Sequence, residues 1–122
     1  MTAIQSTKMS KKILIIDDEA LILTAVERAL AKVGYLTVKA RNMKELDEVM
    51  VHGPFDLLIT DVHLDEDSME DIVKRVKESS PSVPVLMMSG SENIGKFRHF
   101  IEKPFSIEGL RNKVKDMLND SE

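Results

Sequence analysis

Short runs of consecutive apolar residues alternate along this chain with longer stretches in which apolar positions recur every three or four residues. A run of the first kind reads as a strand buried on both faces and a stretch of the second as an amphipathic helix. Their alternation is the pattern of a parallel sheet covered on both sides. Residues 12–17 make the first strand. Leu23, Val26 and Leu30 then recur at helical steps through Glu19–Val33, and Gly34 can close that helix in the left-handed conformation. Leu36–Ala40 is the second strand. Asn42 is placed to cap a helix that turns Met43, Leu46, Val49 and Met50 inward and stops at Gly53-Pro54. Asp56–Thr60 is the third strand, followed by a helix over Asp67–Ser79 with Ile72, Val73 and Val76 inward and Pro81 past its end. Val83–Met88 is the fourth strand and His99–Glu102 a shorter fifth. Ser106 caps a last helix whose Ile107, Leu110, Val114, Met117 and Leu118 form one stripe, although Gly109 leaves the capping box incomplete and the helix start loose. There is no internal repeat, low-complexity segment or linker.

One crossover breaks the pattern. Only 13 residues lie between Ser89 and Lys103, and the fifth strand takes about four of them. A parallel crossover with a helix needs at least ~10–12 residues, and Gly90 and Gly95 are poor helix formers. A fourth helix is therefore expected to be absent or reduced to about one turn, with Ser91–Lys96 mobile.

At 122 residues the length fits one domain with a full core. Residues 1–11 are polar and read as a disordered tail, leaving 12–120 as the domain. Cysteine is absent, which excludes disulfides and thiolate chemistry and agrees with a reducing compartment. The apolar runs are of strand length, too short to span a membrane, and a cytoplasmic location is expected. A net charge of −4, with Tyr35 and four phenylalanines as the aromatic content, argues against direct nucleic-acid binding. The eight methionines are scattered over apolar faces as core filler. His52 and His99 lack partners at metal spacing and read as structural or surface residues.

The chemistry lies at the C-terminal ends of the strands, where open α/β sheets bind their ligands. Asp17 and Asp18 follow the first strand and Asp61 the third. Three carboxylates gathered in one crevice repel one another unless a divalent cation sits among them, and hard oxygen ligands favour Mg²⁺. Ser89 follows the fourth strand and Lys103-Pro104 the fifth. Taken singly, each residue has a bland reading: a turn or cap aspartate, a Ser-Gly turn, a solvated lysine. Their order along the chain carries the functional reading.

This ordered set resembles that of the receiver domains of two-component response regulators, over about Lys12 to Leu118. The resemblance implies a flavodoxin-like (CheY-like) doubly wound five-stranded parallel sheet in the order 2-1-3-4-5. It implies that Asp61 takes a phosphoryl group from a phosphohistidine on a histidine kinase or phosphotransfer protein. It further implies that Asp18 and Asp61 ligate Mg²⁺ directly with the backbone carbonyl of His63, that Asp17 acts through water, and that Lys103-Pro104 is cis. Ser89 and Phe100 would form the switch, and Ile22, Pro104 and Phe105 the partner-docking surface, with at least one of Leu21 and Ile22 exposed. The face built by the fourth helix, fifth strand and fifth helix is the family's usual contact surface, so Phe100 has less than usual to restrain it. The residue types also make sense by themselves. A carboxylate attacks phosphorus well only if the oxygens of the transferring group are neutralised, which a cation, the Lys103 ammonium and the Ser89 hydroxyl can do, with Gly90 leaving room.

The sequence departs from the family where proline and glycine usually follow the acceptor, for Asp65 and Met69 stand there in an acidic run, Asp65-Glu66-Asp67-Ser68-Met69-Glu70-Asp71. Such a run suits a solvated helix start and can also strengthen cation binding or slow small anionic donors. His63, two residues past Asp61, reads as a rim residue that in the family tunes loss of the phosphoryl group to water. With no output domain in the sequence, the signal is expected to leave by binding an unknown target or by phosphorelay. Two other readings are a pseudo-receiver that is not phosphorylated and a flavodoxin-like cofactor binder. The acceptor set disfavours the first, and the anionic Asp17-Asp18-Glu19 loop, where a phosphate cradle would stand, the second.

Overall fold

The computed structural model describes residues 11–90 and 94–118. Among them are five strands and four α-helices in alternation: β1 (Lys12–Ile16), α1 (Ala20–Ala31), β2 (Leu36–Ala40), α2 (Met43–Val49), β3 (Leu57–Asp61), α3 (Met69–Lys77), β4 (Val85–Ser89), β5 (Phe100–Glu102) and α4 (Ile107–Leu118). A 3₁₀ turn, Met50–His52, extends α2, and another, Ile94–Lys96, lies between β4 and β5. All strand pairs are parallel, in the order β2-β1-β3-β4-β5. This is the doubly wound, flavodoxin-like order expected from the chain.

The central strands are apolar on both faces because both faces are covered. Ile13 and Ile15 point to the layer of α1 and α4, where Leu23, Val26, Leu30, Leu110 and Val114 meet them. Leu14 and Ile16 point to the layer of α2 and α3, against Leu46, Ile72 and Val76. Burying one such Leu or Ile side chain contributes roughly 1.5–3 kcal/mol before the entropy of ordering is set against it.

Caps and turns follow their local chemistry. The Asn42 side chain accepts from Glu45 N at 2.9 Å, Ser106 Oγ accepts from Gly109 N at 2.9 Å, and Gly34 has φ 103°. A Cβ at Gly109 would come within 3.0 Å of that Oγ, so the glycine that spoils the capping box also lets the hydroxyl close in. Gly53-Pro54 and Lys103-Pro104 are both cis.

Several boundaries differ from the sequence reading, each for a local reason. β4 starts at Val85, not Val83, because Pro84 has no N–H to give a ladder, and it runs on through Ser89. β3 includes Asp61, which pairs with Met88. α1 stops at Ala31, where Val33 and Gly34 tighten into three-residue turns on Leu30 and Ala31. α3 starts at Met69 because Ser68 is its cap, accepting from Asp71 N at 3.0 Å, and it stops at Lys77. Ile107 leaves its stripe: it is 52% exposed, since a first-turn residue here projects past the layer that Leu110 and Val114 join. Lys11 O accepts from Leu36 N, so the sheet's bonding reaches one residue before β1. The remaining tail residues and Ser91–Asn93 of the expected mobile segment lie outside the described residues. The described part of that crossover holds one 3₁₀ turn, as its length predicts.

Candidate functional site

Because β1, β3, β4 and β5 are successive neighbours, the residues that end them meet along one edge. Asp17 directly follows Ile16, Asp61 and Ser89 end their strands, and Lys103 directly follows Glu102. Ser89 pairs with Glu102, and Lys103 N donates to Ser89 O at 3.0 Å, which fixes the last strand's end beside the fourth's. From there Lys103 Nζ reaches Asp17 Oδ2 and Asp61 Oδ2, each at 3.0 Å, and Glu19 Oε1 at 3.4 Å. The remaining oxygens of the two aspartates take backbone amides: Asp17 Oδ1 accepts from Glu19 N at 2.8 Å and Asp61 Oδ1 from His63 N at 3.0 Å.

This cage is buried unevenly, and the burial sets its electrostatics. The Asp17 side chain is 0% exposed, Asp61 8%, Lys103 17% and Glu19 65%. Burial pushes the Asp17 carboxyl above its ordinary value, and the Asp61 charge adds to this against the opposing pull of Glu19 N and Lys103. Burial works against the Lys103 ammonium, but hydrogen bonds to Asp61 and Asp17 and their charges outweigh it, so its pKa lies above the ordinary lysine value. Lys103 is thus a fixed cation among carboxylates, and part of the repulsion that called for a divalent ion is already answered by the protein.

The crevice above holds about 500 Å³, with Asp61, Ser89, Gly90 and Lys103 at its base and Asp18, Glu19, His63 and Asp65 around it. Ser89 is buried, and a Cβ at Gly90 would make ordinary contact, 3.7 Å from Lys103 O, so this glycine is not demanded by space. Asp18 stands apart from the cage: its Oδ2 accepts from Asp65 N at 2.9 Å. Glu19, not singled out from the sequence, takes a place in the cage instead. The signal for it was the unbroken Asp17-Asp18-Glu19 run, in which the third acid can reach back over the first. Asp67 was also unforeseen, for its Oδ2 caps α2 from the loop after β3 by accepting from Met43 N at 2.9 Å. The acidic loop is therefore partly structural rather than only solvated.

Around the mouth, Leu21 is 86% exposed, while Ile22 and Phe105 are half-buried against the same core cluster. Pro104 and His63 are exposed, and Phe100 is 36% exposed on β5.

The profile of the response regulator receiver domain family matches residues 13–115. The chain belongs to that family. The receiver is 33% identical over 117 residues to response regulator protein PilR of Pseudomonas aeruginosa, covering 88% of this chain and 26% of that protein. It is 32% identical over 120 residues to sporulation initiation phosphotransferase F of Bacillus subtilis, covering 90% of this chain and 95% of that protein. The chain thus spans about a quarter of the length of the first relative and nearly all of the second. In fold it is similar to chemotaxis protein CheY4 of Vibrio cholerae, with TM-score 0.80 at 24% identity over 89% of this chain and 99% of that one. No helix among the receiver's described residues is long and apolar enough to cross a membrane.

The donor set of the receiver's crevice fits a divalent cation. Asp17, Glu19 and Asp61 each offer a carboxylate oxygen, all within 4.8 Å of one another. Hard oxygens alone, few in number and open to solvent on one side, suit Mg²⁺, which keeps several of its waters.

Proposed function

We propose that Asp61 accepts a phosphoryl group from a phosphohistidine on a histidine kinase or phosphotransfer protein, and that the phosphorylated receiver signals by binding another protein or by passing the group on. A single observation carries this reading: the ammonium of Lys103 stands 3.0 Å from Asp61 Oδ2 at the base of an open crevice, with Ser89 on the adjacent strand. In the transfer an Asp61 oxygen forms the new bond to phosphorus while the bond from phosphorus to the imidazole nitrogen breaks, and the imidazole leaves with the electron pair. The developing charge on the transferring oxygens is met by Lys103 Nζ and by the Ser89 hydroxyl, fixed donors that cost little reorganisation.

Mg²⁺ supplies further neutralisation of those oxygens when bound. The residues to hold it are Asp18 and Asp61 with the His63 carbonyl, Asp17 acting through water; Glu19 is an added acid within reach. Asp18 has one oxygen engaged by Asp65 N and the other left for an ion. Supporting an onward transfer, a relative that this chain matches almost end to end is called a phosphotransferase. The chain's chemistry also fits a cytoplasmic protein whose domain runs over residues 12–120.

Intact-mass analysis tests this. Incubation with acetyl phosphate or a phosphorylated histidine kinase should add one phosphoryl group to the wild type and none to Asp61→Asn. Failure of both donors, together with no NMR response to beryllofluoride and Mg²⁺, would leave the fold as an unphosphorylated interaction module.

A further inference from the structure

An ammonium group has three N–H bonds to give, and on Lys103 each is matched by a carboxylate. Asp17 Oδ2 and Asp61 Oδ2 accept at 3.0 Å and Glu19 Oε1 at 3.4 Å. A phosphoryl oxygen that comes to this cation takes the place of one of them.

The three are not equally replaceable. The Asp17 side chain is fully buried, so drawing the ammonium from it strands a carboxylate in the interior. Asp61 is an intact carboxylate until its new bond to phosphorus forms, and it keeps its own N–H during the approach. Glu19 makes the longest of the three contacts from a mostly exposed side chain, so its charge returns to water at little cost when it lets go. Its backbone stays fixed at the start of α1: Glu19 N donates to Asp17 Oδ1 at 2.8 Å, and Glu19 O accepts from Leu23 N at 3.0 Å. The side chain can swing while its root remains beside the cage.

We propose that Glu19 is a positioning residue that occupies the third N–H of Lys103 until a phosphoryl oxygen replaces it, and that its charge there selects against small free phosphodonors according to their own charge. The inference rests on the reading of Asp61 as phosphoacceptor. Exchange of Glu19 for a phosphoryl oxygen moves one hydrogen bond and no proton. In transfer from acetyl phosphate, an Asp61 oxygen then bonds to phosphorus while the bond from phosphorus to the acetate oxygen breaks, and acetate leaves with the electron pair. An acid in the path of an incoming anion opposes its approach. A small donor has no remote contacts to offset that repulsion, whereas a protein that docks does.

Two donors of unlike charge test this: acetyl phosphate, a dianion at pH 7, and phosphoramidate, a monoanion, with uptake followed by intact mass at saturating Mg²⁺. At a solvated position, one unit charge a few ångströms from another is worth about threefold in rate. E19Q keeps the length of the side chain and removes its charge. It should therefore speed phosphoramidate about threefold and acetyl phosphate about tenfold, with both gains shrinking at high salt. Asp65→Asn removes a charge from the rim of the same crevice, from a side chain that makes no ion pair with Lys103, and should change the ratio of the two rates much less. In the wild type, the carboxyl-carbon NMR signal of Glu19 should move when beryllofluoride and Mg²⁺ are added, as its bond from Lys103 is lost. An unchanged ratio in E19Q, an equal change in Asp65→Asn, or a Glu19 signal that stays in place overturns the proposal and leaves Asp61 the acceptor. So does equal slowing with both donors in E19Q together with weaker Mg²⁺ binding, which would make Glu19 a ligand of the ion. No uptake by the wild type from either donor and no response to beryllofluoride overturns this inference and the acceptor reading together.

Discussion

Replacing Lys103 by methionine keeps the length and most of the volume of the side chain while removing the cation among Asp17, Asp61 and Glu19. At an effective dielectric of 20, two carboxylate oxygens within 4.8 Å of one another repel by at least about 3.5 kcal/mol. A ceiling comes from protonation. From an ordinary value of 3.8, keeping Asp17 neutral at pH 7 costs about 4 kcal/mol and at pH 5 only about 1.6 kcal/mol. The substitution should therefore destabilise the fold by about 3 kcal/mol at pH 7, in line with the loss of one partner from a buried ion pair. At pH 5 the loss should be half of that or less. With a urea slope of about 2 kcal/mol/M, the midpoint should fall by about 1.5 M at pH 7. Equal shifts at pH 7 and pH 5 would refute the reasoning, because a packing defect does not titrate; so would a loss under about 0.5 kcal/mol at pH 7, the size of an exposed pair.

Asp67→Ala should cost about 1 kcal/mol in urea unfolding although the residue stands outside α2, because it removes the cap on Met43 N. Leu46→Ala, which empties a fully buried site under α2, should cost about 2–5 kcal/mol by the same assay. Carboxyl-carbon NMR should show Asp17 titrating above 3.8. Between that value and its raised one the folded state holds the extra proton, so this group's contribution to stability falls as pH rises through the window, and titration at or below 3.8 would contradict the burial argument. Ile22→Ala should slow phosphotransfer from the kinase while leaving Mg²⁺ affinity unchanged; half-buried as it is, it should cost no more than about 1 kcal/mol of stability, and an unaltered transfer rate would remove it from the interface.

How far the chain could be read from its residues depended on the range of the interaction. The strands, the stripes of α1 and α3, the Asn42 and Ser106 caps and the Gly34 turn are written in neighbours a few positions apart, and the structure keeps them. The short crossover was legible too, as a matter of arithmetic between Ser89 and Lys103. The gathering of Asp17, Asp61, Ser89 and Lys103 followed from strand order. What could not be read was where flexible acids reach once the backbone is placed. Glu19 turning back to Lys103, Asp18 turning to Asp65 N and Asp67 reaching Met43 N are contacts between segments dozens of residues apart. No periodicity encodes them. Ile107 shows the same limit on a smaller scale, since angular position on a helix says nothing about whether a neighbouring layer extends that far.

The loop that leaves Asp61 is pinned at two points, by Asp18 at Asp65 N and through Asp67 at the first turn of α2. These pins make it a latch between the crevice and a helix that has no residue in the crevice. Anything that draws the Asp18 carboxylate inward releases the amide of Asp65 to water, leaving Asp67 as the loop's remaining fastening. Hydrogen exchange at Asp65 would then report events at Asp61, and exchange at Met43 would tell whether the news travels as far as α2.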